Sequence, residues 1–80
     1  MLKLMNKEEF ISIRDEILSQ LLYKPKELRN GQFIYNQFYK VLKEKGIDIS
    51  FVNGTEFDCF YIDDRIPEFL TKLEKEICKI

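Results

Sequence analysis

Two cysteines, Cys59 and Cys78, and a run of carboxylates, Glu56, Asp58, Asp63, Asp64 and Glu68, are the side chains best equipped for chemistry in this chain. A thiol attacks only as the thiolate, which needs a base or a positive neighbour to draw its proton away. Histidine is absent from all 80 residues, which removes the commonest general base and the commonest transition-metal ligand. Two isolated cysteines cannot close a four-ligand zinc site. Cys59 therefore reads as a small buried apolar side chain. The carboxylates suit calcium or magnesium by type, and Asp64 and Glu68 share a helical face. Their spacing, however, lacks the alternating oxygen ligands, central Gly and terminal Glu of an EF-hand loop. Helix capping and solvation account for these charges, so no catalytic residue, metal or cofactor is assigned.

The aromatic residues are denser than the reactive ones. Phe33, Tyr35, Phe38, Tyr39, Phe51, Phe57, Phe60 and Tyr61 all fall within residues 28–70. Rings so crowded either build a small core or stand on the surface for a partner. Charge changes sign through the same stretch. In 24–45 the cations Lys24, Lys26, Arg29, Lys40, Lys43 and Lys45 outnumber Glu27 and Glu44, whereas in 46–71 Asp48, Glu56, Asp58, Asp63, Asp64 and Glu68 face only Arg65. A net charge of −1 lacks the basic excess of a phosphate-binding domain and argues against nucleic acid. Acidic aromatic surfaces suit a basic protein better than a single strand, whose stacking platforms sit in positive grooves. Such a surface could occupy the nucleic-acid channel of another protein, with carboxylates standing for phosphates and rings for bases.

These side chains need elements to position them. Asn6 with Glu9 forms a capping-box-like start, and apolar residues follow at helical spacing, which predicts a helix over 7–23. Phe10, Ile11, Ile13, Ile17, Leu18, Leu21 and Leu22 line its apolar half. Arg14 projects from the middle of that half, either snorkelling to water or pairing with a carboxylate of 58–64. Pro25 ends this helix. A second helix is expected from 26–30 to Lys45, closed by Gly46, with Ile34, Tyr35, Phe38, Tyr39, Val41 and Leu42 on one face. Phe33 lies on the polar side, either covered by another element or exposed as an interface residue.

Residues 48–53 suit a helical turn stopped by Gly54, with a β-hairpin about Asn53-Gly54 as the rival. The rival would lack a third strand. Asp63 or Asp64 is placed to cap a last helix that tolerates Pro67 in its first turn and carries an apolar stripe of Ile66, Phe69, Leu70, Leu73, Ile77 and Ile80. Lys72, Lys79 and Cys78 lie on its polar side. The fold class expected is therefore all-α, one domain over 1–80, a small bundle of three main helices with an aromatic-rich connection containing one or two short helical turns.

A chain this short buries only about 60% of its unfolded surface, so its stability margin is thin. The apolar start at 1–5 is too short for a signal peptide and runs into Lys7, Glu8 and Glu9, which makes a reducing cytoplasm the default and a disulfide unexpected. No run is long enough to cross a membrane.

The residues Leu28-Arg29-Asn30-Gly31-Gln32, then Asn36 and Tyr39, then Gly54-Thr55-Glu56-Phe57-Asp58-Cys59-Phe60-Tyr61 with Asp63 and Ile66-Pro67-Glu68-Phe69-Leu70, form a pattern over about half the chain. It resembles one in short phage and prophage proteins: Arg-x-Gly-Gln with an Asn and an aromatic, then Gly-Thr-x-x-Asp-Pro-Phe-Tyr and an amphipathic helix. Cys59 stands where that pattern has proline. The resemblance implies a phage-associated accessory protein, a class that often disables host CRISPR or restriction systems. The same residues also have structural readings. Gly31 permits close packing, Gln32 and Asn36 are placed to bond the Gly54-Thr55 backbone, and Asp58 is placed to cap the Phe60-Tyr61 turn.

The expected function is non-enzymatic protein binding, with a host protein such as a defence nuclease or its complex as partner and homo-oligomerisation left open. The candidate residues are Phe33, Tyr35, Phe51, Glu56, Phe57, Asp58, Tyr61, Asp63 and Asp64. The alternative is a small nucleic-acid-binding or regulatory module that uses the basic segment 24–45.

Overall fold

Asn6 opens the first helix as its spacing predicts, its side-chain oxygen accepting the Glu9 amide at 2.7 Å. In the computed structural model, which describes residues 5–78, α1 spans Lys7–Ser19 and buries Phe10 and Ile17. Met1 to Leu4 lie outside the described residues, as do Lys79 and Ile80, which periodicity assigned to the last helix. The final turn of the expected 7–23 helix is wound differently, as a 3-10 segment over Gln20–Tyr23. Lys24 beyond it is extended, as the residue before a proline is obliged to be. A 3-10 turn holds three residues instead of 3.6, so side chains after Ser19 fall out of register with the apolar face. Leu22, expected on that face, is 85% exposed, while Leu21 stays against the core. Arg14 does not reach 58–64; its guanidinium pairs with Asp15 at 3.0 Å on a part-exposed flank.

The second helix, α2, spans Asn30–Glu44 and ends as Gly46 allows. Gly46 takes φ 82°, its amide bonds the Lys43 carbonyl at 3.0 Å, and the Ile47 amide bonds Leu42 at 2.8 Å. Those paired bonds form a Schellman stop, completed by the burial of Leu42 and Ile47 in one cluster. The third helix, α3, spans Ile66–Ile77 with Pro67 in its first turn, and a 3-10 turn at Asp63–Arg65 leads into it. Each helix contributes one phenylalanine to the centre. Phe10 stacks on Phe38 at 5.9 Å, and Phe38 meets Phe69 edge-on at 5.9 Å. All three rings are nearly inaccessible.

The connection between α2 and α3 is the aromatic-rich segment expected, with two 3-10 turns, at Ser50–Val52 and at Asp63–Arg65. The hairpin alternative does not form, and there is no strand among the described residues. Ile47, Ile49, Val52 and Cys59 point inward from this segment and join the helical core. Two candidate interface residues belong to the interior as well. Phe33 and Tyr35 are each only 8% exposed, so most of each ring is spent on the interior. Tyr35 packs against Tyr39, Phe60 and Phe69. No helix among the described residues is long and apolar enough to cross a membrane.

Candidate functional site

The connecting segment is held in shape by the start of α2. Gly31 packs so closely on Cys59 that an added methyl would drive into the Cys59 carbonyl oxygen and lie 3.0 Å from its carbon. Around that contact the Gly31 amide donates to Asp63 Oδ1 at 3.0 Å, the Cys59 thiol donates to the Gly31 carbonyl at 3.5 Å, and Arg29 Nη1 donates to the Tyr61 carbonyl at 2.9 Å. Asp63 thus does not cap α3, whose first turn has no side-chain cap. It serves α2, which also lacks a side-chain cap of its own. A carboxylate at that end satisfies an orphan amide and opposes the positive end of the helix dipole.

Within the segment, polar side chains replace regular backbone pairing. Asp58 accepts the Gly54 amide at 3.0 Å on one oxygen and the Phe60 amide at 2.9 Å on the other. It thereby caps the Phe60-Tyr61 turn as its position suggests. Thr55 Oγ1 donates to the Val52 carbonyl at 2.7 Å and accepts the Phe57 amide at 3.2 Å. Gly54 turns the chain at φ 75°, a conformation glycine adopts without a Cβ penalty. Tyr35 donates its hydroxyl to Asn53 Oδ1, tying α2 to the loop. Gln32 and Asn36, the residues expected to make that tie, do not.

Concave surfaces lie on two sides of this segment among the described residues. The larger, about 710 Å³, lies between the 3-10 turn and α3, with Ile47, Phe51, Val52, Phe57 and Ile77 among its apolar lining and Asp48, Lys72 and Glu76 at its edge. Phe51 is 42% exposed there. Lys72 Nζ lies 5.1 Å from the Phe57 ring centroid and 3.1 Å from Glu76 Oε1. Past Phe57 the groove continues into a hollow of about 310 Å³ beside Pro67, Thr71 and Lys75. The smaller surface, about 260 Å³, is bounded by Tyr35, Asn53, Asp58, Phe60 and Tyr61, and Tyr61 is 72% exposed.

Of the residues singled out in sequence, Phe51 and Phe57 come together in the groove, and Asp58 and Tyr61 meet in the smaller hollow with the Tyr35 side chain forming part of its wall. Glu56 and Asp64 are exposed, and Asp63 is engaged at Gly31. Sequence reasoning missed Asn53 and Lys72. Asn53 was legible only as a turn residue, and Lys72 only as part of the polar stripe of α3.

The reactive groups are restrained. Burial, aided by the Asp58 charge, pushes the Cys59 thiol up to about 12, so it stays protonated at neutral pH and is a poor nucleophile. The Cys78 thiol is also raised, first by burial and then by Glu74. Both cysteines are free. Asp48 is held below the usual carboxylate range by the Ser50 amide, which it accepts at 2.9 Å. Burial raises the Tyr35 phenol, against the opposing effect of its bond to Asn53. Among the described residues no three Cys, Asp or Glu side chains converge on a point that could hold a metal ion.

Comparison with protein-family models, curated proteins and solved structures finds no match for this chain.

Proposed function

We propose that this is a non-enzymatic protein-binding accessory protein that docks through the face formed by the Phe51 to Asp64 segment and α3. The observation that carries this reading is the rigid display of large rings at the surface. Phe51 and Tyr61 remain accessible on a loop fixed by Asp58, Thr55 and the Gly31 junction. Exposed aromatics on a preorganised backbone bind at low entropic cost and are the usual anchors of protein interfaces. Asp48 in the groove, Asp58 in the smaller hollow, and the exposed Glu56 and Asp64 of the same stretch of chain favour a basic partner surface. The resemblance to short phage proteins extends the proposal to a host partner, with a defence nuclease as the class whose basic channel such a face would fill, and to action in the host cytoplasm.

The rival use of 24–45 on nucleic acid is weakened by what its cations already hold. Lys24 donates to the Leu28 carbonyl, Arg29 to that of Tyr61, Lys43 sits over the Tyr39 ring and Lys45 pairs with Glu9. To test the proposal, immobilised protein and its Phe51→Asp variant are exposed to the same bacterial extract, and both are titrated with DNA and RNA at several salt concentrations. Retention of a defined protein by the wild type and its loss from Phe51→Asp is expected. Equal retention, or nucleic-acid binding with a steep salt slope, would overturn the reading.

A further inference from the structure

We propose that the hollow between Asp58, Phe60 and Tyr61 is a receptor for an arginine side chain presented by the partner. This rests on the docking reading above and names the chemistry that one part of the face recognises. Three rings and one carboxylate bound the hollow, with Asn53 completing its wall. Phe60 and Tyr61 meet at 4.7 Å and 69°, and Tyr35 meets Phe60 at 5.7 Å and 85°. Tyr61 is 72% exposed at the rim, so its ring is open to a cation, which binds over an aromatic face.

Asp58 supplies the counter-charge. Each of its oxygens accepts one backbone amide, from Gly54 and from Phe60. An ionised carboxylate offers about four acceptor positions, so each oxygen keeps one for an incoming donor. A pair of acceptors on one planar group matches the two-pronged guanidinium better than a single ammonium. Among the described residues no cation lines the hollow to neutralise Asp58 in advance. The two nearest arginines along the chain grip the backbone instead: Arg29 holds the Tyr61 carbonyl and Arg65 the Thr55 carbonyl at 3.4 Å. The Gly-Thr-x-x-Asp-x-Phe-Tyr sequence thereby has a role as a unit, with the Gly amide and Asp shaping the turn and the two rings forming the receptor.

The test needs no partner. N-acetyl-arginine amide is titrated into the isotopically labelled protein while the amide resonances of Gly54, Phe60 and Tyr61 are followed. Saturable shifts confined to that region are expected. The neutral citrulline analogue should bind at least about tenfold more weakly, since it lacks the charge-assisted bonds. Tyr61→Ala should weaken arginine binding about 2- to 5-fold and Tyr61→Phe should preserve it, the folded spectrum being retained in both because this side chain is on the surface. Absence of shifts, equal response to citrulline or to lysine amide, or indifference to Tyr61→Ala would overturn the proposal. If arginine fails to bind while Phe51→Asp still abolishes protein capture, the receptor falls and the docking reading stands. If arginine binds and capture ignores Phe51, the receptor stands and the wider docking face falls.

Discussion

Phe10, Phe38 and Phe69 form a buried chain of rings, one from each helix, while Phe51, Phe57 and Tyr61 lie in or beside open concave surfaces. The residue types are nearly the same; what differs is the means by which the backbone is fixed. In the first group, helical hydrogen bonds set the backbone and packing sets the ring, so position follows from period. In the second, the backbone is set by Asp58, Thr55, Asn53 and Asp63, and the rings need not bury themselves to define the structure. Aromatic density alone therefore does not separate core from surface. The presence of polar side chains that replace backbone pairing does.

The sharpest way to break this contrast is truncation at the centre. Phe38→Ala should cost about 3–5 kcal/mol, a large share of the stability of a small domain, seen as a large fall in the urea midpoint. Gly31→Ala comes next. Its methyl has no room against the Cys59 backbone, and the resulting displacement should cost about 1–3 kcal/mol, a loss that the better helix propensity of alanine only partly offsets. Loss of order in residues 53–62 should accompany it in amide spectra.

A smaller effect concerns the Cys59 thiol. Its folded value of about 12 lies above the ordinary 9.0, so the folded chain keeps a proton that the unfolded chain releases. The stabilising contribution is complete below about pH 9 and declines as pH rises toward about 12. Urea midpoints at about pH 8.5 and about pH 10.5 should fall further apart in the wild type than in Cys59→Ala. The smallest change in stability is expected at the surface. Tyr61→Ala should shift it by no more than about 0.5 kcal/mol, and a loss comparable to that of Phe38→Ala would erase the distinction between the two sets of rings.

Sequence revealed those features whose causes are local. Asn6 bonding Glu9, Gly46 ending α2 and the Phe69, Leu73 and Ile77 stripe of α3 each depend on residues a few positions apart. The failures share a different origin. Asp63 looked like a cap for the helix that follows it, yet it binds an amide 32 positions earlier. Phe33, on the polar side of its wheel, is covered as the economy of a small chain favours, but a helical wheel carries no information about which neighbouring element covers it. Leu22 left the apolar face when four residues tightened their turn. In the candidate site, the turn around Asp58 was legible because its bonds reach only two and four residues. The groove was not, because Phe57 and Lys72 meet only after α3 has docked.

The junction at Gly31 has a consequence for how the molecule comes apart. Two of its bonds involve Arg29 and Gly31, at the entrance and in the first turn of α2, where helices fray most readily. Unwinding that one turn removes the anchor of Asp63 and Tyr61 while leaving Phe38, two turns further on, in place. Partial opening of this kind has a lower free energy than global melting, so amides of residues 53–62 should exchange with solvent long before those around the three phenylalanines. The molecule can lose the fixed shape of residues 53–62 and still count, by helix content, as folded.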